Sequence, residues 1–191
     1  MDHRNESRAC RPETKPAHPS LLARFIGNRK GATAIEFTIL AIPFALLVFA
    51  ILESCISFAG QELLANATDD VARQVRTGQL TAANLDNNTL KQALCGKLSI
   101  LTGQDCGQYI HFDLEHYDSF AAAAAVQTMM SNGALVTTDF GVNPGGPLTI
   151  NMLRVYYEWP TMTDFMTKLM SNLSNGRTLL FATATWQNEP F

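Results

Sequence analysis

The sequence predicts an α+β fold, a long N-terminal transmembrane and amphipathic helix packed on a small, mainly antiparallel three-stranded sheet. Three observations predict it. The apolar run Thr38–Ala59 passes in unbroken helical spacing into an amphipathic stretch that stops near Gly78. Three later segments carry strand alternation or strand-forming composition. Short helical segments and turn chemistry separate those strands, as in a domain that segregates helices from one sheet.

With 191 residues, 47% of them hydrophobic and 16% charged, the chain suits one domain plus an anchor. The charges divide unevenly. Residues 1–30 hold seven Lys/Arg against three Asp/Glu, whereas residues 61–191 hold seven against twelve. A basic flank marks the cytoplasmic side of a membrane span, so the N-terminus is expected inside and residues 60–191 outside. An acidic exported part excludes nucleic acid as a partner, because phosphate binding needs a basic footprint.

Residues 1–31 read as a cytoplasmic leader that is cleaved. Pro12, Pro16 and Pro19 stand among charges of both signs, with little apolar periodicity before Leu21. The apolar run that follows is too long for the core of a secretory signal, and no small-residue cleavage site follows it. Phe37–Leu52 has no charge, and its sixteen residues make about 24 Å of helix against a hydrocarbon core of about 30 Å. Extension through Ala59 gives about 34 Å and takes in Glu53, expected at the outer interface or against a partner. The domain boundaries follow: leader 1–31, transmembrane helix 32–59, and an exported α+β domain 60–191 that includes the outer half of the helix. Pro43 removes one backbone donor and is expected to bend the span. A buried helix of a soluble protein is the competing reading; the basic flank and the length weigh against it.

Beyond the span, Leu63, Leu64, Ala67, Val71 and Val75 recur at helical spacing, so one helix runs from about Ala32 to Thr77 with Gly78 as its stop. Leu63, Leu64, Val71 and Val75 are its expected core face. Asn87 and Asn88 offer N-caps for a second helix with Leu90, Leu94, Leu98 and Leu101 on one face, ended by Gly103. Ile110, Phe112 and Leu114 alternate with His111, Asp113 and Glu115, a strand whose polar row is expected to face water. Ser119–Met130 reads as a helical or irregular insertion, and residues 143–147 as turn chemistry. Leu148–Glu158 is the second strand, with Ile150, Met152, Val155 and Tyr157 turned inward and Pro160 ending it. A short helix over Thr163–Leu173 would use Phe165, Leu169 and Leu173 as its apolar face. The last strand is Thr178–Gln187, with Leu180, Ala182, Ala184 and Trp186 on one side.

The four cysteines fall into three settings. Cys10 and Cys55 read as unpaired. Cys95 and Cys106, with ten residues between them in the exported part, form one disulfide in an oxidising compartment and remain two thiols in a reducing one.

The stretch Gly31-Ala32-Thr33-Ala34-Ile35-Glu36-Phe37 carries the most chemistry, and it has two readings. It is the start of a transmembrane helix that happens to hold a glycine and a glutamate. Alternatively, Gly31-Ala32 is a scissile bond on the cytoplasmic face, and cleavage leaves Ala32 as a charged N-terminus on an apolar helix. In the second case Glu36 has a role: a carboxylate in the first turns suits the helix dipole and pairs with a free α-amine, its own or a neighbour's.

The basic pair Arg29-Lys30, Gly31, the glutamate five residues after it and the aromatic Phe37 resemble the type IV prepilins, and within them the TadE-like minor pilins and pseudopilins of Tad (Flp) pilus systems. Arg154–Pro160 and the closing Glu189-Pro190 look like that family's C-terminal half, while residues 80–147 match only loosely. The resemblance implies a structural or assembly subunit of a type IVb pilus, not an enzyme, and a type IV pilin-like fold. It implies processing by prepilin peptidase at Gly31 and Ala32, and subunit registration and assembly by Glu36 and Phe37. Its implied partners are the peptidase, other pilins and pseudopilins, the Tad secretion machinery and the inner membrane. The exported domain would lie in the periplasm or, after incorporation into a pilus, at the cell surface. No cofactor is implied.

The alternative is a signal-anchored periplasmic binding domain or metal-dependent enzyme. Its best support is His111-Phe-Asp113-Leu-Glu115-His116, where three potential ligands share a strand face. A solvated polar row needs no metal, and no second cluster of matching type exists, so no metal site is assigned. Nucleophile elbows, phosphate-binding loops and His-Glu-x-x-His are absent from the sequence.

Overall fold

A computed structural model describes residues 32–128 and 130–190. It is an α+β structure in which a long apolar N-terminal helix, α1 (Ala32–Arg76), is followed by a domain built on a mostly antiparallel sheet. The chain divides into two compact units between Leu46 and Leu47.

The described part of the first unit is helical throughout and holds Pro43, and none of its side chains from Thr33 to Leu46 is buried. Residues 1–31, which include the expected leader, Cys10 and Gly31, lie outside the described residues.

In the second unit a buried stripe starts abruptly at Glu53. It continues through Ser57, Gly60, Leu64, Ala67, Thr68, Val71 and Val75, the three- and four-residue steps of one helix face. Leu47, Phe49, Ile51 and Leu52, just before it, are all at least half exposed. Leu64, Val71 and Val75 are core residues as expected, and Leu63 is partly buried beside them. Gly60 lets Trp159 approach the helix: a Cβ there would lie 2.8 Å from the indole ring. The helix stops at Gly78, whose φ of +73° is a left-handed conformation natural to glycine.

Helix α2 (Asn87–Thr102) is capped by Asp86, whose carboxylate accepts a 2.7 Å hydrogen bond from the Thr89 N–H, and Gly103 closes it. The cap is therefore one residue earlier than the asparagines the sequence suggested. Leu90, Leu94 and Leu98 are buried, but Leu101 is 40% exposed and not part of the core face. Lys97 bonds Asp70 of α1 at 2.9 Å and holds that carboxyl below its usual range. A 3₁₀ turn and the one-turn helix α3 (Cys106–Tyr109) follow, and a disulfide joins Cys95 to Cys106 with Cα atoms 5.7 Å apart.

The sheet has four strands rather than three. Strand β1 (Ile110–Tyr117) pairs antiparallel with β5 (Ile150–Trp159), which pairs antiparallel with β6 (Thr178–Gln187). The fourth, β4 (Val142–Asn143), adds two residues parallel to β1 on its other side. Between β1 and β4 come α4 (Phe120–Ala124) and a two-residue hairpin, β2 (Met130–Ser131) with β3 (Ala134–Leu135). Helix α5 (Asp164–Met170) connects β5 to β6.

One sheet face presents Ile110, Leu114, Leu153, Val155, Tyr157, Trp159, Leu180, Ala182 and Trp186 to the core with α1 and α2. The other face is exposed along β6, at Phe181, Thr183, Thr185 and Gln187, but covered over β5. There the segment between β1 and β4 stacks Phe140 on Tyr156 at 5.5 Å and bonds Thr128 to the Tyr156 hydroxyl at 2.8 Å. That cover corrects the expectation for the middle of β1: Asp113 is 1% exposed, while His111 and Glu115 of the same row stay partly exposed. It also explains why β5 buries both of its faces, with Met152, Leu153, Val155, Tyr156 and Tyr157 all in the interior.

Candidate functional site

The N-terminal stretch is built from the start of α1. Ala32 is its first residue, and Glu36 and Phe37 lie in its first two turns with exposed side chains, Phe37 at 72%. Among the described residues no hydrogen bond or ion pair reaches the Glu36 carboxylate. Helix α1 is the one helix among the described residues long and apolar enough to cross a membrane, and the apolar window that qualifies it is entirely unburied. Its N-terminal part is thus a bare apolar surface with one acid near its start.

The other acid of α1 has a different environment. Glu53 is 6% exposed and receives 2.6 Å and 2.7 Å hydrogen bonds, from the Met162 N–H and the Thr163 hydroxyl. Thr163 also caps α5, its hydroxyl accepting from the Met166 N–H at 3.3 Å. One carboxylate therefore ties the entry of α5 to α1. The partner expected for Glu53 is this chain's own connection after β5. Around it, Thr161 bonds Thr167 at 2.7 Å and the Gly176 carbonyl at 2.8 Å, and Thr178 bonds the Met170 carbonyl at 3.0 Å, so the connection is fixed to the sheet.

The residues considered for metal binding are occupied otherwise. Asp113 accepts from Arg154 at 2.7 Å and from the Gly141 N–H at 3.0 Å. Glu115 accepts from Asn143, His111 lies 3.3 Å from Glu158, and the His116 ring lies 3.1 Å from the Asn143 carbonyl. Burial pulls the Arg154 guanidinium down, but the Asp113 hydrogen bond and charge outweigh it and hold the group above its ordinary value. This buried pair was missed in the sequence, although Asp113 and Arg154 sit mid-strand with opposite charges, and they prove to be direct cross-strand neighbours.

The comparisons with known proteins bear on the helix. A family model described as TadE-like protein matches residues 31–73. The chain carries a TadE-like segment. No curated protein and no solved structure matches the chain. The TadE-like segment takes in the bare apolar part of α1, Glu36, Glu53 and most of the buried stripe; it does not extend to Arg154–Pro160 or to Glu189-Pro190. That closing pair docks on the far end of α1, where the Glu189 N–H bonds the Arg76 carbonyl at 3.0 Å.

Proposed function

We propose that this chain is a TadE-like minor pilin or pseudopilin, a non-enzymatic structural or assembly subunit of a Tad pilus. The observation that carries the reading is the TadE-like match, which opens at Gly31 and runs along a helix whose first part is apolar on every side. Prepilin peptidase cuts between Gly31 and Ala32. The new α-amine of Ala32 then sits beside an apolar helix that holds a single acid near its start, Glu36.

An unpaired acid costs about 2.5–3.5 kcal/mol at the centre of a bilayer on insertion scales, and less toward an interface, where Glu36 would lie. Pairing Glu36 with the α-amine of a neighbouring subunit removes much of that cost, and it does so only when the helices are in register. Phe37 and the bare apolar flanks supply the packing surface. The N-terminus stays cytoplasmic until cleavage, and the α+β domain is exported, where Cys95 and Cys106 are oxidised. Other pilins and the Tad secretion machinery are the partners.

Coexpression with a prepilin peptidase tests the first step. Intact mass is expected to show a product lacking residues 1–31 and beginning at Ala32, and Gly31→Val should block that cleavage. Uncleaved wild type, or a variant cut as readily as wild type, would rule out the processing step.

A further inference from the structure

We infer that α5 and the residue before its cap form a membrane foot: Met162, Phe165 and Leu169 insert into the outer leaflet of the bilayer that α1 crosses. The inference rests on the reading of α1 as a membrane anchor. Its own basis is where α5 is held. The cap of α5 is bonded to Glu53 through Thr163, and Met170 at its far end lies 3.9 Å from the hydroxyl of Ser54. Both ends of α5 therefore touch consecutive residues of α1, so the short helix lies crosswise at one level of the long one.

That level is the edge of the domain on α1: from Thr33 onward Glu53 is the first buried residue of the helix, while on its other faces exposed Ile56 and Phe58 carry the apolar run on to Ala59. Thr33–Leu52 is twenty residues, about 30 Å of helix, which matches the thickness of a hydrocarbon core. Glu53 follows at once, already enclosed by the domain. Just inside the edge, Leu47, Phe49, Ile51 and Leu52 are bare.

Exposed apolar side chains occur on the foot as well. Met162 is 65% exposed, Phe165 53% and Leu169 68%, values unlike those of the packed core. Phe165 and Leu169, four residues apart, share one helix face, while Met166 packs inward and Asp164 and Lys168 are exposed elsewhere on the helix. A short amphipathic helix lying across the end of a membrane span, with one face apolar and exposed, has the character of an interfacial helix. Lys168 can meet anionic headgroups. The foot is fixed to the sheet through Thr161, Thr167 and Thr178, so its insertion sets the height of the whole domain above the membrane.

The test uses the full chain with Cys10→Ser and Cys55→Ser, leaving the Cys95–Cys106 disulfide in place. Single cysteines replace Leu47, Phe165, Leu169 or Asp139 and carry an environment-sensitive fluorophore. Each protein is reconstituted into phosphatidylethanolamine–phosphatidylglycerol vesicles containing lipids with a nitroxide high or low on the acyl chain. Labels at 165 and 169 are expected to lose at least about half their emission to the shallow nitroxide, the label at 47 to respond at least as strongly to the deep one, and the exposed label at 139 to respond to neither. Quenching at 47 without quenching at 165 and 169 would overturn the foot while leaving the anchor intact. A blue-shifted but unquenched label at those sites would do the same and assign the surface to a neighbouring protein chain. Absence of quenching at all positions would remove the anchor reading and the foot with it.

Discussion

Glu36 and Glu53 have the same chemistry and opposite surroundings. Glu36 stands exposed on a bare helix, whereas Glu53 is enclosed and accepts two hydrogen bonds from the β5–α5 connection. Hydrogen bonds to a charged acceptor contribute more than neutral ones, and a donor left unsatisfied costs more still. Glu53→Gln keeps one acceptor but turns an amide donor toward a donor. It is expected to destabilise the chain by about 1–3 kcal/mol and to lower the midpoint of thermal unfolding in detergent by several degrees. An unchanged midpoint would mean that the clamp contributes nothing. The sequence leads one to expect Glu53 at the outer interface or against a partner, but its donors, from residues more than a hundred positions away, could not be read from it.

At the scale of elements, the long-range stripe of α1 and the alternation of β6 were legible because each has one buried face and one exposed face. Helix α1 was expected over Ala32–Thr77 and spans Ala32–Arg76; β6 spans its expected range. The short elements were not read as well. In α5 the expected face of Phe165 and Leu169 is exposed, and Met166 is the residue that packs inward, because a seven-residue helix offers too few turns for its periodicity to choose a side. The burial of Asp113 in the polar row of β1 was not legible because its cover comes from the β1–β4 connection, where the Gly141 N–H bonds it, a segment with no strong periodicity of its own. The disulfide belongs to this scale as well. It closes a short loop from α2 to α3, which in the chain-entropy treatment stabilises by about 3 kcal/mol. Dithiothreitol is expected to lower the unfolding midpoint of the wild type and leave that of a Cys95→Ser, Cys106→Ser double variant unmoved. An equal response of both proteins would show that the bond carries no stability.

For the whole molecule, α1 changes its role at Glu53. Before that residue its surface is apolar and bare; from that residue onward one face belongs to the domain. On the proposed function, the bare part packs against lipid and then, after cleavage, against other subunits. Its sole acid would be the point of registration, since pairing it with a neighbour's α-amine would be favourable only at one axial offset. The most direct measurement of this claim is pilus display by cells in which Glu36→Val replaces the wild-type chain, scored together with the mass of the processed protein. The account predicts a normally cleaved, normally folded chain and loss of surface pili. Unchanged piliation would contradict it.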